Sequence, residues 1–146
     1  MLSVDPSFSS PAQTLSTLWN SFNSKDSNKF IDSFSKSPET VVIGTSPTTC
    51  YIRKECDFER IIRFGFSQVS WQRAESKTLS QVVDEKIASI IQNVLITMSE
   101  GGREFKILAR YSITLQKEQD GVWKIVHSHL SEGVSPTLIT AVCQYD

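Results

Sequence analysis

Two adjacent glycines, Gly101 and Gly102, separate two long runs of alternating side chains, 86–99 and 104–117. A Gly-Gly pair supplies the positive φ that a two-residue hairpin turn demands, so the two runs are predicted to pair as antiparallel strands. Successive residues of a strand point to opposite faces. Phe105, Ile107, Ala109, Tyr111, Ile113 and Leu115 therefore share one face, and Lys106, Leu108, Arg110, Ser112, Thr114 and Gln116 the other. The turn sets Met98 against Phe105, Ile96 against Ile107, Val94 against Ala109 and Gln92 against Tyr111. Apolar then meets apolar on the first face, which is how burial pins a register.

A second turn signal, Gln119-Asp120-Gly121, leads into a third run at 122–131. A four-residue connection at 118–121 would pair Ile113 with Val126, Tyr111 with Ser128 and Ala109 with Leu130. Gln92, Tyr111 and Ser128 then interrupt an otherwise apolar inner face. The outer face carries Asn93, Arg110 and His129 in one row, with Ser112 and His127 beside them.

The first half has a different period. Residues 1–10 are rich in serine and proline and read as a flexible arm, followed by a single domain over 11–146. Ser10-Pro11 is a helix start, a hydroxyl cap before a proline at the first helical position. Leu15, Leu18, Trp19 and Phe22 follow on one helical face, and a shorter helix carries Phe30, Ile31 and Phe34. Val41-Val42-Ile43 reads as a short strand, and Phe58 to Val69 returns to helical spacing, with the helix ending near Trp71. Helices first and a strand meander after them indicate an α+β domain.

Composition limits the function classes. A net charge of -1 offers no electrostatic footprint for nucleic acid or an anionic membrane. No run approaches the roughly 20 apolar residues of a membrane-spanning helix, and the first residues lack a basic segment followed by an apolar one, so a cytoplasmic location is expected. Cys50, Cys56 and Cys143 match no metal spacing. His127 and His129 point the same way on their strand, but Asn93, Arg110 and Ser112 are poor further ligands, so neither metal nor cofactor is expected.

The stretch Asp120-Gly121-Val122-Trp123-Lys124-Ile125-Val126-His127-Ser128-His129-Leu130-Ser131 resembles the last strand of SnoaL-like (nuclear transport factor 2-like) proteins. In motif it is most similar to the association (hub) domain of calcium/calmodulin-dependent protein kinase type II, where Asp-Gly-x-Trp also leads into His-x-His-x-Ser. The resemblance implies a cone-shaped half-barrel, a curved antiparallel sheet with three N-terminal helices packed on its concave side. It further implies a pocket inside the cone and dimerisation through the outer sheet face, or larger rings as in hub domains. The position of the cyclases' catalytic aspartate falls on Ser128, and that of the hub pocket arginine on Leu130.

Trp19, Tyr51, Gln92, Tyr111, Ile113, Val126, Ser128 and Leu130 are accordingly expected to line a pocket for an apolar or amphipathic molecule. Tyr111 and Gln92 could hold a substrate oxygen, but proton abstraction also needs a carboxylate or histidine, and the inner strand positions carry neither. Asp57 and Glu59 stand near the third helix and read as solvated surface. Asn93, Arg110, Trp123, Ile125, His127 and His129, with Ile91 and Leu95, are expected at a homodimer contact. The expectation is a non-catalytic, small-molecule-binding homodimer. An isomerase, cyclase or dehydratase and a hub-like oligomerisation module are the alternatives.

Overall fold

The computed structural model describes residues 3–45 and 48–132. Its helices begin where side-chain caps satisfy their first free amides. Ser10 Oγ accepts from Gln13 N at the start of α1 (Pro11–Asn23), Asp26 from Lys29 N at α2 (Ser27–Asp32), and Asp57 from Arg60 N at α3 (Phe58–Ser67). The strands are β1 (Val41–Ile43), β2 (Cys50–Ile52), β3 (Trp71–Val83), β4 (Ile87–Glu100), β5 (Arg103–Lys117) and β6 (Trp123–Glu132). They form one open sheet in the order β2-β1-β6-β5-β4-β3. Its pairings are antiparallel except that β1 runs parallel to β6, so the sheet is mixed where the sequence suggested a purely antiparallel one.

The Gly101-Gly102 turn has φ of 56° and 79°, and β4 pairs with β5 in the expected register, Gln92 against Tyr111 and Val94 against Ala109. The β5–β6 pairing differs. The connection holds five residues, since Lys117 pairs with Trp123 and Glu118 N bonds to Val122 O at 2.7 Å. That extra residue turns Trp123 and Ile125 inward. A β-bulge at Val126, which has no partner on β5, then reverses the alternation again. His127 pairs with Thr114, Ser128 with Ile113, His129 with Ser112 and Leu130 with Tyr111.

Trp123 and Ile125 are therefore core residues and not part of an outer contact: Ile125 has no exposed surface and Trp123 only 6%. Ile125 is held at both backbone ends by the chain after α2, donating to Ser33 O at 2.9 Å and accepting from Ser35 N at 2.7 Å. Thr14 Oγ1 of α1 donates to Trp123 O at 2.7 Å. With Leu15, Leu18, Phe34, Phe58, Val94, Ile113 and Leu115, these residues make one core between helices and sheet.

Three further elements depart from the sequence reading. The segment after α3 is a fourth long strand, β3, made by its pairing with β4; only Gln72 and Ala74 along it are buried, so its sequence carries no apolar alternation. Cys50–Ile52 is a strand, completed by pairing with β1. Of the N-terminal arm, Pro6–Phe8 forms a short 3-10 helix and Phe8 is buried, with the Lys124 and Lys29 amines over its ring at 3.5 and 5.3 Å from the centroid. Thr17 Oγ1 donates to Ser7 O at 2.7 Å, fastening the segment to α1.

Because Ile125 packs against helix and sheet at once, Ile125→Ala should lower unfolding free energy by about 2 to 5 kcal/mol, read as a lower denaturant midpoint. An Ile125 on an outer face would instead tolerate the change within about 0.5 kcal/mol.

Candidate functional site

The inner face of the sheet gathers its polar groups around one tyrosine. Trp19, on the buried face of α1, meets the Tyr111 ring edge-on with centroids 5.2 Å apart. The Trp19 indole Nε1 donates to Gln92 Oε1 at 3.0 Å, and Gln92 Nε2 donates to Thr78 Oγ1 at 3.2 Å. The Gln92 amide is thus bonded on both sides, and its role is to satisfy a buried indole and a β3 hydroxyl. Phe22, Phe30, Phe34, Phe58 and Phe66 continue the aromatic packing from Trp19 outward, with centroid separations between 5.0 and 6.2 Å.

Ser128 lies beside Tyr111 on the same inner face, 2% exposed, and among the described residues no hydrogen bond of full geometry reaches its Oγ. Burial pushes the Tyr111 phenol up to about 12, with nearby Ser128 partly offsetting the rise. Ile113 is buried in the core, Tyr51 and Leu130 pack half-buried against it, and Val126 is buried at the bulge. Of the eight pocket candidates, Trp19, Gln92, Tyr111, Ile113, Val126 and Ser128 are buried, and Tyr51 and Leu130 half-buried. Among the described residues, the buried polar side chains are hydroxyls and amides; no carboxylate or histidine is among them.

The outer face holds the other grouping. His127 and His129 are exposed there, beside Val41 and Ile43 of β1 on one side and Thr114 and Ser112 of β5 on the other. With Ser89 and Ile91 of β4 these residues line a groove of about 420 Å³, its floor lowered by the small Ser89, Ser112 and Thr114 side chains. Arg110 stands on the same face, its Nε 3.5 Å from Asn93 Oδ1. It pairs with Ser131 and not with His129 as the shorter connection implied. Leu108, farther along β5, is 66% exposed, and Ile91 is 37% exposed. Sequence reasoning could not supply Val41 and Ile43, because their place follows from a parallel pairing across more than eighty residues.

A second cleft, of about 540 Å³, lies between the N-terminal 3-10 helix, the end of α2 and the β5–β6 connection. One ion pair and several bonds to backbone oxygens organise its polar groups. Arg53 donates to Ser35 O at 2.7 Å and to Glu59 at 3.1 Å, and Lys124 donates to Asp32 O while resting on Phe8. Burial lowers the Lys124 amine below the usual lysine range. Asp57 and Glu59 have structural partners, Asp57 as a helix cap and Glu59 in ion pairs with Arg53 and Arg63. Trp71 projects from the outer side of β3, opposite to buried Gln72. No group of three metal-ligating side chains converges among the described residues.

A family model for the SnoaL-like domain matches residues 12–135, and the chain belongs to that family. Among solved structures, it is similar to a nuclear transport factor 2-like superfamily protein from Salmonella enterica, at 19% identity over 85% of this chain and 89% of that one, with a TM-score of 0.73. A ketosteroid isomerase-like protein from Erwinia carotovora shares 15% identity over 91% of this chain and all of the other, also at 0.73. A protein from Thiobacillus denitrificans, described as a calcium/calmodulin-dependent protein kinase type II association domain, shares 14% over 89% and 100%, with a TM-score of 0.70. At such identities the likeness is one of fold. A search of curated protein sequences finds no match.

The buried phenol sets a pH dependence. Its proton is retained in the folded chain up to about pH 12 but lost near pH 10 when unfolded, so the associated stability is complete below pH 10 and disappears as pH rises through 12. Between those limits Tyr111→Phe should lose about 2 to 3 kcal/mol less unfolding free energy than the parent chain, by denaturant titration at stepped pH. Parallel losses in both proteins would place the phenol in contact with water.

Proposed function

We propose that this domain is a non-catalytic, self-associating module whose outer sheet face meets the same face of a second copy. The observation that carries the reading is the coexistence on one face of a protruding apolar side chain, Leu108, and an uncharged groove flanked by Val41, Ile43 and Ile91. In a twofold contact each patch serves both subunits, so a knob and a hollow on one surface complement themselves. The groove lining carries no formal charge, which spares a self-contact the repulsion of like charges. The similarity in fold to a structure described as an association domain supports the same reading.

The interior supports the non-catalytic half. Gln92 is spent on Trp19 and Thr78, and among the described residues the buried polar side chains include no carboxylate or histidine, whereas proton-transfer chemistry needs a titratable group within hydrogen-bond reach of the substrate. Ser128 favours a second, compatible role. A hydroxyl buried without a partner costs about 1 to 3 kcal/mol, and a polar atom of a small amphipathic molecule bound beside Tyr111 would recover it.

Sedimentation equilibrium at micromolar concentration should give a dimer or larger assembly, and Leu108→Glu should yield a monomer with an unchanged far-UV circular dichroism spectrum. A parent chain sedimenting as a monomer would defeat the reading.

A further inference from the structure

The sheet ends in two unequal edges: β2 closes one side with three residues and β3 the other with thirteen. The chain itself covers the first part of the long edge. Asn23, the last residue of α1, accepts from Ala74 N at 2.6 Å and donates to Ala74 O at 3.4 Å, so its side-chain amide stands where the peptide of a further strand would. Both backbone groups of Ala74 therefore point away from β4. Alternate residues of an antiparallel ladder do the same, which turns the Ser76 and Thr78 backbones outward as well. A β-bulge falls at Leu79, which has no partner on β4. Beyond it the β3–β4 turn sets the phase. Asp84 N donates to Ile87 O at 2.8 Å, so the Val82 backbone is directed at Ser89 on β4, and Gln81 and Val83 turn theirs outward. Among the described residues, none of these four outward backbones has a hydrogen-bond partner beyond the edge.

We propose that residues 76–83 form a self-recognising edge, which pairs antiparallel with the same stretch of a second copy about a twofold axis between Leu79 and Ser80. The outward backbones lie symmetrically about that point, so Ser76 meets Val83 of the second copy and Thr78 meets its Gln81. The bulge makes this possible. In a regular strand the outward backbones would fall at positions 76, 78, 80 and 82, and the same pairing would set each against an inward one. Only this register uses all four outward backbones, because Asn23 occupies Ala74 on one side and the turn follows Val83 on the other. Each pair also shares a face of the sheet: Ser76 with Val83 and Thr78 with Gln81 inside, Lys77 with Val82 outside. The stretch carries a single charge, Lys77, and the twofold sets it against Val82, whose methyls can pack on the lysine's methylene stem, and not against its own copy. Solvated edges are commonly guarded by a proline or several charges; this one has neither, and Leu79, Val82 and Val83 are exposed along it. The contact uses a strand edge where the association proposed above uses a sheet face, and it does not rest on that reading.

The experiment is sedimentation velocity of the full chain carrying Leu108→Glu, at about 20 μM and about 1 mM, with circular dichroism recorded on the same samples. A contact of one strand edge is small, so this protein should be monomeric at the lower concentration and pass into a dimer, and no further, at the higher. Gln81→Pro deletes an outward N–H that the β3–β4 ladder does not use, and should raise the dissociation constant about tenfold or more with the spectrum unchanged. Val82→Lys sets like charges opposite each other on both sides of the twofold and should weaken the dimer about fivefold or more. Val82→Glu, facing Lys77, should tighten it about threefold or more. Opposite signs from two charged substitutions at one exposed position separate this pairing from general apolar association, and keep the test decisive if the proline disturbs the strand. A chain that stays monomeric at the higher concentration overturns the inference, as does growth beyond a dimer or a dimer indifferent to all three substitutions. Val82→Lys and Val82→Glu acting in the same direction also overturn it, since Lys77 would then not lie opposite. The outer-face reading is untouched by these outcomes, because the chain with Leu108 intact tests it at micromolar concentration.

Discussion

The arrangement of this domain depends on the bulge at Val126 more than on any other single feature. Five residues in the β5–β6 connection turn Trp123 and Ile125 toward the helices, and one unpaired residue at Val126 restores the alternation that sends Ser128 inward and the histidines outward. Were the strand regular, keeping Ile125 in the core would bring His127 and His129 inside with it, and Ser128 would face out. A bulge costs one ladder pairing and sharpens local twist. It allows β6 to meet two demands: an apolar anchor under α1 and α2 at one end, a neutral polar groove at the other.

That division separates the two surfaces on which a domain of this fold could act. On the concave side, aromatic packing and the Trp19–Gln92–Thr78 chain of hydrogen bonds occupy the centre of the sheet. Tyr111 contributes a phenol held neutral by burial, a group able to donate a hydrogen bond, and no carboxylate or histidine is among the buried side chains of the described residues. The convex side keeps Leu108 and Ile91 in solvent beside a groove, and no described helix lies over them. The SnoaL-like fold is shared by proteins of many activities, so the architecture alone does not choose among them. What distinguishes this chain is the chemistry of each face: neutral buried hydroxyls and amides within, exposed apolar side chains beside a groove outside.

The N-terminal segment illustrates how a weak sequence signal acquires structure from its neighbours. Phe8 has no periodic partner in a serine- and proline-rich stretch, yet it is buried under the amines of Lys124 and Lys29. Those lysines lie on β6 and α2, and their meeting over one ring exists only once the Ile125 backbone has joined β6 to the chain after α2. The segment closes one end of the domain as a consequence of the same junction.

By itself the sequence determined the elements whose signal is local. The Gly101-Gly102 turn and strict alternation set the β4–β5 register residue by residue, and apolar spacing marked the helices, with the Ser10 cap opening α1, because turn geometry and burial periodicity act within a few residues. The pairing of Gln92 with Tyr111 and the outward direction of the histidines were also legible, the latter because two departures from regular alternation offset each other. Tertiary structure decided what depends on distant partners. An edge strand such as β3 buries too little to show alternation, so its pairing with β4 defines it. Loop length and a bulge, which composition does not encode, moved Trp123 and Ile125 from the outer face to the core. The walls of the outer groove come from β1 and β6, strands brought side by side only when burial of the whole sheet makes the long loop between them worth closing.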